Sequence, residues 1–532
     1  MDTNNLITIN NCRIENSRTV LLNEVSWKMN RGEAWLVTGP NGGGKADFLN
    51  ALAGNLKITP NSRNQSESEE TPMFSSVFGD SVEIVSLERA AYIIEEERKN
   101  DESEYTEGGV DIGRTGRIFI AEGICGKIPK NAPLPEAARK IESYPAIKLC
   151  GVEKILDRGL KYMSTGEIRR TLLARALISG KKLLILSDPF AGLDAQSRQI
   201  LLDFFTSVVK RQLNISGGSE YPHIILGMER WHEIPDSITN VLEFSEKSIS
   251  FYGSKDEYIK FHKDNGKNAG NENSEAKFLS DVEKTFENTS ALHENHGEKD
   301  EILIEMNHVN VGWGENKVLR NLSWKLKKNE HWLIRGPNGS GKTTFLELIT
   351  GDNMQVFCND IKIFGKPRGS GESIWDIKKK LGIVSYRLHV EYRMVGGTSL
   401  RNTIISGFRD SIGLYEDPTD SELSAAAQWL SLGGFENRAD ESFGNLSYGE
   451  QRAILILRSA VKCPPVLILD EPCHGLDELY RRKILFLLEK IAQKGTSTLL
   501  HVTHDPSEVL ECEHHILELC PEEDPMYKII EK

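Results

Sequence analysis

The sequence predicts an α/β fold built twice in tandem, and three observations carry that expectation. Residues 336–344 read Gly336-Pro337-Asn338-Gly339-Ser340-Gly341-Lys342-Thr343-Thr344, a complete nucleoside-triphosphate loop. A damaged copy, Gly39-Pro40-Asn41-Gly42-Gly43-Gly44-Lys45-Ala46-Asp47, stands far upstream. Each half also carries, later in its sequence, a uniformly apolar run that ends in an acid and a turn, as a strand buried on both faces of a parallel sheet does.

The elements follow in order. Val25–Met29 and Leu322–Leu326 align around Trp27 and Trp324, at the same offset that relates the two loops. Residues 34–38 (Ala-Trp-Leu-Val-Thr) and 331–335 (His-Trp-Leu-Ile-Arg) read as short strands feeding the glycine loops. Helices are expected after them, at 46–53 and 343–350; strand, glycine loop and helix is the context in which such a motif binds phosphate. Later helices are expected at 166–178 and 449–461, with apolar residues such as Leu172, Leu173, Ala176 and Leu177 at helical spacing. The buried strands are Leu183–Leu186 and Val466–Leu469. Alternating strands and helices, repeated, give the α/β class.

Between the halves, residues 263–300 are rich in Asn, Glu and Gly with no sustained period, and read as a polar, flexible linker. Within it Phe278, Leu279, Val282 and Phe286 could form a short amphipathic turn. The domains are therefore placed at 1–262 and 301–532. Lys57 to Asp80 reads as a surface insertion in the first, and Asn100 to Glu107 as a similar soft segment.

Composition narrows the function classes. A chain of 532 residues with 39% hydrophobic and 27% charged residues is an ordinary soluble globular protein of two or more compact units. Net charge of −13 repels phosphate backbones, so general nucleic-acid binding is not expected. Eight scattered cysteines without a CxxC pair point to reduced thiols. Cys512, His514 and His515 are close in sequence but read as structural or solvent-facing. No apolar run approaches the ~18 residues of a membrane helix, so a membrane role would need a partner protein. An intracellular, cytoplasmic place is expected; the first eleven residues lack the basic character of a mitochondrial or secretory leader.

The chemistry is read from residue types. Glycines let backbone N–H groups close around phosphate, Lys342 reaches the outer phosphates, and the Thr343 hydroxyl holds Mg²⁺. Asp470, at the end of a core strand facing the loop, can hold the same ion, and Glu471 can act as general base on the attacking water. In the first half Lys45 remains, but Ala46 has no hydroxyl and the acidic pair has become Ser187-Asp188. One site should use ATP and Mg²⁺; the other should not hydrolyse at a useful rate.

Leu446-Ser447-Tyr448-Gly449-Glu450 and Met163-Ser164-Thr165-Gly166-Glu167 resemble the signature of the ABC ATPases, each shortly before its acidic strand. With the loops and acidic strands, the resemblance covers both halves in order. It implies two tandem ABC-type ATPase domains, each a mainly parallel sheet with an antiparallel β part and a helical subdomain. It further implies a head-to-tail pairing in which each signature closes over the opposite half's loop. The second site would then combine Trp313 stacking on adenine, the loop from Gly336 to Thr344, Thr343 and Asp470 at the metal, Glu471 as base and His504 at the γ-phosphate. Ser164 and Gly166 would come from the first half. The degenerate site would combine Gly39, Asn41, Gly42, Gly44, Lys45 and Asp188 with Ser447 and Gly449. Here Asn16 replaces the aromatic and Glu229 the histidine.

A glutamine that the family places after the strand following the loop helix is missing in both halves, where Leu87 and Tyr386 stand. That puts ordinary coupling to a transporter in question. The layout is most similar to the tandem ATP-binding proteins associated with molybdate transport and photorepair; Ser406-Gly407-Phe408 and Gly413-Leu414-Tyr415 fit that group. The expected function is an asymmetric soluble ATPase. Alternatives are the ATP-binding subunit of a transporter with a separate membrane partner, a ribosome-associated factor, and a nucleotide sensor without turnover. Chromosome-maintenance ATPases are excluded by the absence of long heptads.

Overall fold

The structure, a computed structural model, describes residues 4–17, 19–40, 42–61, 73–100, 112–129, 132–163, 165–190, 195–210, 222–228, 234–265, 301–313, 316–385, 388–389, 392 and 397–532. The chain divides into two compact units, Met1–Asn268 and Ala269–Lys532. The last helix of the first, Lys255–Asn265, runs past residue 262, where the sequence places the linker's start. The apolar stripe from Phe278 to Phe286 and the segment at 101–107 lie outside the described residues.

In the first unit, β1 (Asn5–Glu15), β2 (Val20–Asn30), β4 (Lys57–Pro60) and β5 (Met73–Ser76) form an antiparallel sheet around β1. The remaining strands, β3 (Trp35–Thr38), β6 (Val82–Val85), β7 (Leu183–Ser187), β8 (His223–Gly227), β9 (Asn240–Ser245) and β10 (Ser248–Ser254), make a second sheet. Its order is β10-β9-β3-β8-β7-β6, parallel except for the β9–β10 hairpin.

The second unit repeats this plan. Here β11 (Ile302–Trp313), β12 (Asn316–Lys327), β14 (Asp360–Ile363) and β15 (Lys366–Pro367) are antiparallel. The strands β13 (Trp332–Arg335), β16 (Leu381–Val384), β17 (Val466–Asp470), β18 (Thr498–Val502), β19 (His515–Leu519) and β20 (Tyr527–Glu531) follow the order β16-β17-β18-β13-β19-β20. Only β20 is antiparallel to its neighbour.

The surface insertion expected between Lys57 and Asp80 is corrected at its two flanks, while residues 62–72 lie outside the described residues. Residues of β4 and β5 pair with β1, Ile14 opposite Ile58 and Ile9 opposite Phe74. Every side chain of β5 is exposed, so its composition is that of a loop while its backbone completes a ladder. Side-chain polarity reports exposure and says nothing of backbone pairing.

The tryptophan repeat marks the join between sheets. Trp27 packs edge-on against Trp35 and Phe48, with ring centroids 5.3 and 5.2 Å away. Trp324 does the same with Trp332 and Phe345, at 5.4 and 5.0 Å. In each unit this trio locks the antiparallel sheet onto the strand and helix that flank the glycine loop. Beyond the sheets, the second unit adds helices Leu400–Arg409, Asp420–Gly433 and Tyr448–Ala460 around the fully buried Trp429. The first unit has Gly116–Cys125 against Thr165–Ile178.

Several histidines stabilise the second sheet. His501 in β18 meets the Glu513 carboxylate at 2.7 Å, both fully buried. His515 stacks on Trp332 and His514 donates its backbone N–H to Cys512, so this cluster is structural. His331 is buried just before β13, where its Nδ1 accepts a hydrogen bond from the Leu499 N–H at 3.1 Å. Burial, with His514 and His515 nearby, pushes its pKa down from 6.5 to about 4 against the opposing pull of Glu513. Because the folded value lies below the unfolded one, the unfolded chain binds the extra proton first, and stability falls as pH drops from 6.5 toward 4. Between pH 7 and 5 this one group should cost about 2 kcal/mol. His331→Gln keeps an acceptor for Leu499 but does not titrate, so its denaturation midpoint should fall less over that interval than the parent's. Equal falls would contradict the assignment.

Candidate active site

Each glycine loop leaves the C-terminal end of a central strand and turns directly into a helix, Lys45–Leu52 or Lys342–Thr350. Helix start and exposed N–H groups together favour an anion there. Gly341 precedes the second helix with φ +98°, and a Cβ would lie 2.7 Å from Val318 Cγ1. A Cβ on Gly336 would approach the Leu519 carbonyl oxygen to 2.6 Å. Neither position accepts a side chain.

In the second unit Lys342, Asp470, Glu471 and His504 lie near one another. Lys342 Nζ donates to the carbonyls of Gly336 and Pro337 at 2.8 and 3.0 Å, lying across the loop it serves. Asn338 and Thr344 are half-buried, Gly339 and the Thr343 side chain are exposed, and Ser340 is buried beneath the loop. Asp470 ends β17; burial raises its pKa, opposed by Arg452, Lys342 and His501, so its carboxyl is within electrostatic reach of the loop lysine. Glu471 follows with φ +49°, its N–H donating to Val502 at 2.9 Å. A left-handed glutamate costs on the order of 1 kcal/mol or more and persists only where surrounding contacts impose it. His504 Nε2 stands 3.5 Å from Glu471 Oε1. Trp313 is the last residue of β11, opposite Asn316.

One residue not singled out from the sequence supplies much of the imposition. Arg452, buried in helix Tyr448–Ala460, donates to the carbonyls of Asp470 (2.5 Å), Glu471 (2.9 Å) and Ser385 (3.0 Å). Arg169 makes the matching bond to the Asp188 carbonyl at 2.5 Å, and Asp188 has φ +51°. The arginine stands five residues after the signature serine in both halves, a repeat that could have flagged it.

The signatures themselves have a local physical cause. Ser447 caps helix Tyr448–Ala460 in a reciprocal box with Glu450, which also pairs with Arg438 at 2.5 Å. Gly449 therefore lies in that helix's first turn, as Gly166 lies in the first turn of Thr165–Ile178. Glu167 holds Arg158 at 2.8 Å. Ser164, Asn41, Glu229 and Tyr386 lie outside the described residues. Leu87 opens the helix Leu87–Lys99, where Ser86 accepts from Arg89 N–H.

The first unit keeps the scaffold but differs in the side chains it presents. Gly39, Gly42 and Gly44 retain positive φ. Lys45 is buried, with Nζ 3.5 Å from the Met228 carbonyl, deeper than its counterpart. Ala46 offers no hydroxyl, and Ser187 ends β7 where Asp470 ends β17. Asp47, at the position of Thr344, adds a carboxylate to the helix's first turn; burial raises its pKa and nearby Lys247 lowers it. A negative group there competes with phosphate, a feature the loop pattern contains but whose weight depends on burial. Asn16 spends its side-chain oxygen on the Thr19 N–H at 2.7 Å, closing a turn.

A family model described as ABC transporter matches residues 22–191 and 319–474. The chain is similar to the ABC transporter ATP-binding protein ModF of Escherichia coli (strain K12), with 35% identity over 512 residues, 96% of this chain and 95% of that one. An uncharacterized ABC transporter ATP-binding protein of Schizosaccharomyces pombe is 27% identical over 508 residues, covering 93% and 94% of the two chains. The crystal structure of the complex of archaeal ribosomal stalk protein aP1 and archaeal ribosome recycling factor aABCE1 aligns with TM-score 0.51 at 16% identity, over 98% of this chain and 89% of that one, a likeness of fold alone. Among the described residues no helix is long and apolar enough to cross a membrane.

Proposed function

From the premise that the chain belongs to the ABC transporter family and is an ATPase of two tandem domains, we propose that it hydrolyses ATP mainly at one composite site. That site joins the second unit's loop to the first unit's signature. The observation that carries this reading is the asymmetry on a common scaffold. Lys342, Asp470, Glu471 and His504 converge in the second unit, while the first keeps the same arginine tie and left-handed acid without the metal ligands.

The donor set in the second unit fits Mg²⁺: an exposed threonine hydroxyl at the helix start and a carboxylate within reach of the loop lysine. Mg²⁺ held by Thr343 and Asp470 would neutralise charge on the β- and γ-phosphates. Lys342 leaves the loop carbonyls to bind the outer phosphates, and the loop N–H groups fix them in line. Glu471 orients the attacking water and accepts its proton, with its left-handed backbone aiming the carboxylate. His504, in contact with Glu471, bonds a γ-phosphate oxygen. Ser164 and the helix start at Gly166 close the opposite side of the phosphate.

The cross-pairing is tested by its two serines. Ser164→Ala should lower steady-state phosphate release by about 10²-fold, the usual cost of one missing donor to a transition-state oxygen. Ser447→Ala removes a helix cap, costing about 1 kcal/mol of stability, but should leave turnover close to the parent's. Equal losses, or the reverse order, would end the composite assignment.

A membrane partner is the second reading, favoured by the relatives' description as transporter ATP-binding proteins. Recovery of an integral membrane protein with the ATP-loaded Glu471→Gln variant would support it.

A further inference from the structure

The strand that ends in Trp313 is paired to its tip by β12 on one edge, but on the other edge no strand reaches that far. β14 pairs with β11 only from Ile304 to Asn307. Beyond that, two side-chain amides take over. The Asn310 N–H donates to Asn359 Oδ1 at 2.8 Å, and Asn359 Nδ2 donates to the Asn310 carbonyl at 3.1 Å. The Gly312 N–H donates to Gln355 Oε1 at 3.2 Å, and Gln355 Nε2 donates to the Gly312 carbonyl at 3.0 Å.

Residues 310 and 312 alternate, so their backbone groups face one edge of the strand. A carboxamide carries an acceptor and a donor side by side, as a neighbouring strand would. The clamps are themselves braced. Asn359 Nδ2 donates to the Gln355 carbonyl at 2.8 Å, Asn353 Oδ1 accepts the Gln355 N–H at 3.0 Å, and Val356 between them is fully buried. Their helical turn, Met354–Cys358, follows closely on helix Lys342–Thr350. One continuous segment thus runs from the phosphate loop to the end of β11.

The first unit supplies the contrast. The corresponding edge of β1 is completed by an ordinary strand, Ile14 opposite Ile58 and Glu15 opposite Lys57. There the position of Trp313 is Asn16, engaged with Thr19. Where the aromatic is missing, Ile58 stands at the position of Gln355, and no such amide clamp is seen among the described residues.

We propose that Gln355 and Asn359 are positioning residues for the nucleotide base, clamping Asn310 and Gly312 so that Trp313 is held at a fixed distance from the phosphate loop. The inference rests on the reading that Trp313 stacks on adenine. It assigns base recognition to a path distinct from phosphate binding, so the two can be separated by measurement.

In the full chain, Gln355→Leu removes both bonds to Gly312 at similar volume. It should raise KM for ATP roughly 5- to 10-fold, the equivalent of about one net hydrogen bond, with kcat held. Inhibition by inorganic tripolyphosphate, which has no base, should stay at the parent's value. Gln355→Glu keeps the acceptor for the Gly312 N–H and should fall between, and Asn359→Ala should shift KM in the same direction. Equal weakening of ATP and tripolyphosphate, a fall in kcat, or an unmoved KM would overturn the proposal. Trp313→Ala, run in parallel, separates the premises. If it leaves KM unchanged, the stacking reading fails and this inference with it; if it raises KM while Gln355→Leu does not, only the clamp fails.

Discussion

Glu471→Gln in the full chain is expected to reduce steady-state phosphate release by about 10³-fold, within the range that a positioned general base contributes. Asp188→Asn is expected to change it less than about twofold, because loss of a base matters only where a metal and γ-phosphate are held beside it. Both residues occupy the same left-handed backbone position after a central strand, Glu471 at φ +49° and Asp188 at φ +51°. Both carbonyls are tied by an arginine of the preceding signature helix, Arg452 or Arg169. Backbone placement is therefore common to the two, and any difference in the variants must come from side-chain chemistry. Parallel rate measurements on the two purified variants decide it: matching losses would show two working sites and remove the asymmetry.

Thr343→Ala combined with Asp470→Asn should abolish the magnesium dependence of turnover. Losing both ligands removes several kcal/mol of charge stabilisation, or roughly 10³-fold or more in rate. The residual rate should be flat across a Mg²⁺ titration and unmoved by a chelator. Fast, Mg²⁺-dependent phosphate release surviving both substitutions would refute the metal assignment. The Asn at 470 retains the backbone carbonyl that Arg452 binds at 2.5 Å, so the strand end should stay in place and the loss should be chemical.

Much of this was legible in the chain itself. The loops, the apolar strands and the signature helices lie where periodicity and glycine spacing put them, to within a residue or two at their ends. Strong local rules govern these elements: a buried parallel strand is apolar throughout, and a phosphate loop needs glycines at particular turns. The strands at Lys57 and Met73 were missed because none of their side chains is buried, so nothing in their composition betrays a backbone ladder. Asp47 and Arg452 were likewise present in plain view, but the weight of a charge depends on burial and on what surrounds it.

Sequence alone determined the class of fold, its duplication, and which half keeps the loop threonine and the acidic pair after the central strand, because those follow from residue identity at fixed spacing. Only the tertiary structure decided how the acids after the central strands are held, that Lys45 is drawn inward while Lys342 lies across its loop, and that two amides finish the strand of Trp313. These depend on groups distant in the chain meeting at hydrogen-bond range, where direction and distance set the energy and no local pattern records them.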